Sequence, residues 1–434
     1  MFQASTPRSR GAAAAVVAAL AAAAALAAPA VSAGRVYELD ECVEIALSSN
    51  ITLADSRESV EAAGADLMSS WSSMLPSITG SVGHGETFSV SDGTESLSDS
   101  YSGSIGLNQT ILDGGSLARI SGSYHNRDAA RHSHEWTRRD IVFRTKENYY
   151  NLLKAERLKE VQEEAVELAR EQLRKTQSLY DLGSSSKSDL LKAKVQLGQS
   201  ELSLIGAQKS LEIARANLCY HLGIDLATDI EVVDPSEEDA EVEILDVDVA
   251  EAFSRRPDLK AVEESVVSAR RSLLAAKASR WPELGLSIGY SRTEPAFGDI
   301  FETERDDYVR SVSLQASVPI FRGLATKAQI DASKSALRRS ELSLRDARLA
   351  VAYEIETVRL AVLESRQRVD VAEQSVSSAE EDLRISEERY RLRSASMLEL
   401  IDARVAYSRA RTDLIEARYD YEIAKAELKL ALGL

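Results

Sequence analysis

The chain has 434 residues and a formal net charge of −17, from 52 Lys and Arg against 69 Asp and Glu. Acidity of this degree excludes a partner held through phosphate contacts, so no nucleic acid is expected. Two cysteines, Cys42 and Cys219, are too few for a disulfide framework.

The chain opens with Arg8 and Arg10, an Ala-rich run from Ala12 to Ala28, Pro29, and the small-residue pattern Val31-Ser32-Ala33. That order predicts a secretory signal peptide over 1–33, whose loss takes two positive charges and leaves −19. The run is short of the ~20 residues needed to cross a bilayer and is poor in Leu, Ile and Phe. Asp40 and Glu41 precede Cys42, where a lipidation site would need small apolar residues.

A first repeat is read over 34–223. Val43, Ala46, Leu47, Leu53, Val60, Ala63 and Leu67 predict an amphipathic helix from Leu39 to about Met74, stopped by Pro76. The period then becomes two: Ile78, Val82, Tyr101, Ile105 and Leu107 alternate with small polar residues, predicting a β-hairpin at about 77–112 with a polar loop from Ser91 to Asp99. A helical hairpin is predicted over 115–222. Its first helix runs without Pro to Gly183, ~100 Å at 1.5 Å per residue, and its second returns from Ser188 to Leu222. An acidic connector follows at 224–250, carrying among others Asp229, Glu237, Glu238 and Asp246, and is read as a solvated linker in preference to a cation site.

The second repeat, 251–434, restates the first. Ala46–Pro76 aligns without a gap on Ala252–Pro282, and Ser178–Lys194 on Glu388–Arg404, at offsets of 206 and 210. A helix over Val249–Ser279, a β-hairpin at about 283–321 with a loop from Glu294 to Asp307, and a helical hairpin over 325–432 complete it. This is one duplicated module, not a solenoid of short units.

Alternating strands of this length are the signature of a transmembrane β-barrel, with a soluble β-sandwich as the alternative from the strands alone. One chain supplies four strands, and open edges are not tolerated in lipid, so closure needs two chains for 8 strands or three for 12. The returning helix and the next repeat's first helix together match the long helix in length, as a uniform cylinder wall requires. A soluble coiled-coil rod is the competing architecture, and the strands argue against it.

No GxSxG, HExxH, P-loop or useful GxGxxG is present, and the carboxylates lie on amphipathic helices with Lys or Arg three or four residues away. His132 and His134, two apart on a helix, point to different faces. No enzyme activity, cofactor or metal is expected.

The doubled hairpin, the turn into a long helix, and Tyr180-x-x-Gly183 followed by Asp189, Leu190, Leu191 and Ala193 resemble the TolC-like outer-membrane efflux proteins, the outer membrane factors. So does the opening LDECVEIALSSN at Leu39–Asn50, and the resemblance runs through both repeats. It implies an α+β membrane protein: a homotrimer whose 12-stranded β-barrel sits in outer membrane lipid and continues as a long α-helical coiled-coil tunnel into the periplasm of a Gram-negative-type bacterium. Such a chain is the passive duct of a tripartite efflux pump or type I secretion system, joined through a periplasmic adaptor (membrane fusion) protein to an inner-membrane pump. The alternative is a periplasmic coiled-coil spacer or adaptor without pore activity.

The resemblance assigns the adaptor-docking tip to Tyr180, Leu182, Gly183, Asp189, Leu190, Leu191 and Ala193, and to Tyr390, Leu392, Arg393, Glu399, Leu400, Ile401 and Ala403. Coiled-coil packing explains Leu191 and Ala193 equally well. Arg393 stands where the family's second tip has glycine, which predicts a tighter turn, a different shape or a different adaptor. Gate candidates by position are Arg384, Glu387, Glu388 and Arg389. The net charge predicts an acidic, cation-favouring lumen. In the wall arrangement Cys42 and Cys219 meet near mid-tunnel, as two buried thiols or, less favoured, as a disulfide.

Overall fold

The computed structural model describes residues 36–91, 94–235, 249–301 and 308–434. The signal segment at 1–33, residues 236–248 of the acidic connector and residues 302–307 of the second hairpin's loop lie outside the described residues.

Strand β1 (Val36–Tyr37) leads into helices α1 (Leu39–Ser49) and α2 (Ile51–Ser72). Strands β2 (Ser77–Ser91) and β3 (Thr94–Leu112) follow, then helices α3 (Gly114–Asp181) and α4 (Lys187–Leu222). After β4 (Glu231–Val232) come helices α5 (Val249–Arg255) and α6 (Pro257–Ala278), strand β5 (Glu283–Glu294), a 3-10 turn at Gly298–Phe301 and strand β6 (Val309–Ser317). The chain ends with α7 (Ala325–Arg391) and α8 (Met397–Ala431).

Three sequence expectations are corrected. The first helix of each repeat is two helices, not one. Asn50 is extended at φ −68 and ψ 126, so it closes α1 and caps α2 through Leu53 N–H. Arg256 is extended at φ −72 and ψ 118 because Pro257 follows it, and a proline bars its predecessor from the helical region. Second, most of the presumed loop from Ser91 to Asp99 is strand, since β3 begins at Thr94 and pairs in register with β2 from the turn outward. Third, the connector begins with structure: Glu231 and Val232 pair in parallel with Val36 and Tyr37.

The four long strands form one antiparallel sheet in the order β2-β3-β5-β6. Helices extend that order: α2 packs on α3, α3 on α6, and α6 on α7, each continuing the strand it is joined to. In the other half of the long helices the neighbours change, with α4 beside α3, α3 beside α8, and α8 beside α7. Helices α3 and α7, of 68 and 67 residues, run through both halves and reach ~100 Å. Helices of this length are held by lateral packing, and the packing is densest at mid-length. One apolar cluster there joins Tyr37, Cys42, Ile141, Leu152, Leu218 and Ile230, and a second joins Ala252, Val351, Ile355, Val362 and Leu428.

Candidate functional site

The sheet separates two chemistries. Register pairs Ile78 with Leu107, Gly80 with Ile105, Leu107 with Ile288 and Ile288 with Val312, so these side chains share one face. That face is apolar and uncovered: Ile78 is 72% exposed and Val312 74%. The opposite face pairs Ser81 with Ser104, Ser104 with Ser291, and Ser287 with Ser313. Ser81 and Ser104 hydroxyls meet at 2.7 Å. The polar face is therefore small and largely neutral. Among the described residues one trio, His84, Glu86 and Asp99, brings possible ligand atoms within 4.8 Å of one another, all exposed. His134 Nδ1 meets Ser56 Oγ at 2.8 Å, linking α3 to α2.

At the far end the two helical hairpins turn. In the first, Gly183 at φ 73 follows Leu182, whose N–H donates to the Ser178 carbonyl; Gly183 N–H donates to Tyr180 and Ser184 N–H to Leu179. Ser186 caps α4 by accepting from Asp189 N–H. The second turn repeats this pattern with Arg393 at φ 63: its N–H donates to Tyr390, and Ser394 N–H to Arg389. Ser396 and Glu399 form a capping box on α8. The expectation of a tighter or differently shaped second turn is thus corrected, because both turns are the same helix-ending motif. Leu182, Leu191 and Leu392 are exposed, whereas Leu190, Ala193, Leu400 and Ala403 are buried between helices; Tyr180 is borderline at 37% exposed, and Tyr390 and Ile401 are half-buried. The sequence had left Leu191 and Ala193 open between docking and core, and geometry divides them.

Of the gate candidates, Arg384 pairs with Glu381 and Glu388 with Arg391, each along its own helix, and Arg389 pairs with Glu399 across its own turn. Glu387 reaches Arg404 at 2.8 Å, and Arg404 Nη1 donates to the Leu168 carbonyl of α3 at 3.5 Å. Further ties join the two hairpins of the chain. Arg411 of α8 pairs with Glu164 of α3, and Gln172 Nε2 approaches Met397 Sδ at 3.4 Å. These residues flank a cavity of about 390 Å³ lined by Leu168, Gln172, Met397, Leu400 and Arg404. The heptad pattern marked them only as helix surface; no sequence signal separates a charge that crosses between hairpins from one paired along its own helix.

At mid-length the C-terminal ends of α4 and α8 abut the breaks at Asn50 and Arg256. Asn50 Nδ2 donates to the His221 carbonyl at 2.7 Å, and Arg256 Nη1 to the Ala431 carbonyl at 3.1 Å. Cys42 and Cys219 are brought into one apolar cluster as two buried free thiols, the arrangement set against a disulfide in the sequence. Cys219 Sγ is turned to the Thr228 carbonyl at 3.8 Å. Burial pushes the Cys42 thiol up to about 12 and raises Cys219 as well, so the thiolate needed for disulfide exchange is disfavoured at both.

A four-stranded sheet with an apolar uncovered face and outer edges unpaired among the described residues, carried on helices of ~100 Å, is the architecture of an outer-membrane channel protein. Comparison with known proteins agrees. The model of the outer membrane efflux protein family matches residues 42–223 and 249–434, and the chain belongs to that family. It is 29% identical over 285 residues to Protein CyaE of Bordetella pertussis, covering 65% of this chain and 58% of that protein's length. It is 22% identical over 346 residues to the alkaline protease secretion protein AprF of Pseudomonas aeruginosa, covering 77% of this chain and 70% of AprF. The fold superposes on the Campylobacter jejuni CmeC outer membrane channel with a TM-score of 0.82 at 20% identity, covering 91% of this chain and 85% of CmeC.

Proposed function

We propose that three copies of this chain close into a 12-stranded barrel continued by a helical tunnel, forming a passive duct for cargo delivered by an inner-membrane exporter through a periplasmic adaptor. The observation that carries this reading is incompleteness at both edges. Strands β2 and β6 have no outer partner among the described residues, and open edges are not tolerated in lipid. The helical layer is incomplete in the same places. On α7, Leu342, Leu349, Tyr353 and Leu360 are exposed at spacings of seven, four and seven residues, the seam of a coiled coil lacking its partner. On the opposite edge, α4 exposes Val195, Leu202, Ile205, Ile213 and Tyr220. A ring of identical copies brings these edges together, heterologous contacts closing after a fixed number of subunits.

The duct needs no chemistry of its own. The apolar face meets lipid, the Ser- and Gly-rich face lines the pore, and the ties from Arg411 to Glu164 and from Arg404 to the Leu168 carbonyl hold the two hairpins together at the periplasmic entrance. AprF carries secretion in its name and the matching family carries efflux; the conduit proposed here serves either, with energy supplied by the partner.

Planar-bilayer recording of the purified protein tests the reading. Wild type should insert as a pore of low conductance, and Arg404→Ala with Arg411→Ala should raise conductance severalfold while leaving the barrel intact. Absence of pores from correctly folded protein would overturn the duct. Unchanged conductance in the double variant would overturn the assignment of the ties.

A further inference from the structure

The two hairpin tips share one backbone motif, but one pays for it and the other does not. Gly183 takes the left-handed conformation freely, having no Cβ. Arg393, at φ 63, is the only non-glycine residue with positive φ among the described residues. A long, unbranched side chain there is disfavoured, and a backbone outlier kept at a surface turn points to use of the side chain that forces it.

Its surroundings say what the use is. Arg384, Arg389 and Arg391 each have a carboxylate partner, whereas Arg393 has none among the described residues. A groove of about 590 Å³ lies between the starts of α4 and α8, walled by Leu191, Val195, Leu398 and Ile401 and edged by Lys187 and Lys192. No carboxylate lines it, and neither lysine has an ion-pair partner among the described residues, on a chain whose net charge is −17. Asp189, the nearest acid in sequence, is occupied by Ser186, whose hydroxyl donates to it at 2.7 Å. Apolar walls with uncompensated cations at the edge fit an amphipathic helix bearing carboxylates beside its apolar stripe.

We propose that this tip selects its partner by charge: Lys187 and Lys192 at the groove and Arg393 at the second turn recognise a helical hairpin that carries Asp or Glu next to its turn. The inference rests on the reading of the tips as a docking surface and adds the chemistry of what docks. Arg393 acts as a specificity residue, and its backbone cost is the reason glycine would otherwise occupy the position.

The test uses the full-length assembly in detergent and two synthetic helical hairpins with identical apolar stripes, one with three Glu beside the turn and one with three Lys. Fluorescence anisotropy should find the Glu hairpin bound about tenfold more tightly, three exposed pairs each giving a factor of roughly two, with the preference shrinking as salt rises. Arg393→Gly should weaken Glu-hairpin binding about twofold while raising the thermal midpoint by roughly 1–3 °C, opposite signs that a purely structural residue would not give. Arg393→Lys should keep the preference, and Lys187→Gln with Lys192→Gln should remove most of it. Equal binding of the two hairpins, or binding untouched by Arg393→Gly, would overturn charge selection and leave the tip a docking surface. Failure of both hairpins to bind wild type would overturn the selection and the docking reading together.

Discussion

The same mid-length joint is built twice in this chain, with different residues. In the first half Asn50 breaks the helix, caps α2 and donates to the His221 carbonyl. In the second half Arg256 occupies the break, donates to the Ala431 carbonyl, pairs with Asp258 at 2.7 Å and Glu354 at 2.9 Å, and lies over the Trp136 ring at 4.5 Å. What recurs is the requirement, since the last carbonyls of a helix that ends against another helix must be satisfied. What varies is how much else the satisfying residue carries. Asn50 caps α2 and reaches one carbonyl of α4, whereas Arg256, 2% exposed, ties α6 to α7, α8 and, through Trp136, to α3.

That contrast predicts unequal sensitivity. The largest effect should come from Arg256→Ala, which leaves Asp258 and Glu354 without their shared cation and the Ala431 carbonyl without a donor. We expect a loss of about 3 kcal/mol per chain, toward the lower end for breaking a buried pair because both acids keep some solvent, read as a lowered thermal midpoint of the assembly. A midpoint within a degree of wild type would show that Arg256 is no keystone.

The glycines that end α4 and α8 sharpen the comparison. Gly223 is at φ 71, and a Cβ there would lie 2.6 Å from the Ser49 carbonyl oxygen. Gly433 is at φ 70, with its closest such contacts at 3.2 Å to Arg255 and Arg256. Both replacements by alanine incur left-handed strain of about 1 kcal/mol, and Gly223→Ala adds a backbone clash, for a total of roughly 2–3 kcal/mol. Equal losses for the two variants would mean that the joints relax alike. Asn50→Ala comes next, with about 1 kcal/mol expected for the lost cap, measured the same way.

The smallest effect is one of pH. Burial lowers the His221 pKa below its ordinary value, opposed by the Ile141 carbonyl 3.2 Å from Nε2. A histidine whose folded pKa is depressed binds fewer protons folded than unfolded, so its contribution is intact above the unfolded pKa of about 6.5 and is lost as pH falls through and below it. The thermal midpoint should therefore drop between neutral and mildly acidic pH in wild type, and by less in His221→Gln. The second half has Ala431 at the matching place, so its joint should not contribute to this slope.

Much of this architecture was legible because it rests on period and punctuation. Alternation of Leu284, Leu286 and Ile288 with glycine and serine set the strands, Pro76 and Pro282 ended the first-type helices, and the absence of proline through α3 and α7 set their length. The break at Arg256 was legible in principle from Pro257, but the break at Asn50 was not, since an asparagine within an apolar periodicity gives only weak warning. The long β3 was missed because its polar turn-proximal end, from Ser96 to Ser100, reads as loop, and only pairing with β2 makes it strand. At the tip, the glycine turn followed from sequence, whereas which leucines are exposed and which charges tie the hairpins did not. Glu164 and Arg411 are separated by 247 positions, and which of many surface charges meet across helices is decided by tertiary register.

In the proposed duct, edges left open in one chain are closed by copies of itself. Native mass spectrometry of the purified protein in detergent, before and after a substitution that places a carboxylate on the exposed apolar seam, Leu349→Glu, reads the copy number. The account predicts three copies for wild type and loss of the three-copy species in the variant. A wild-type protein that is monomeric while folded, or a variant that keeps three copies, would contradict it.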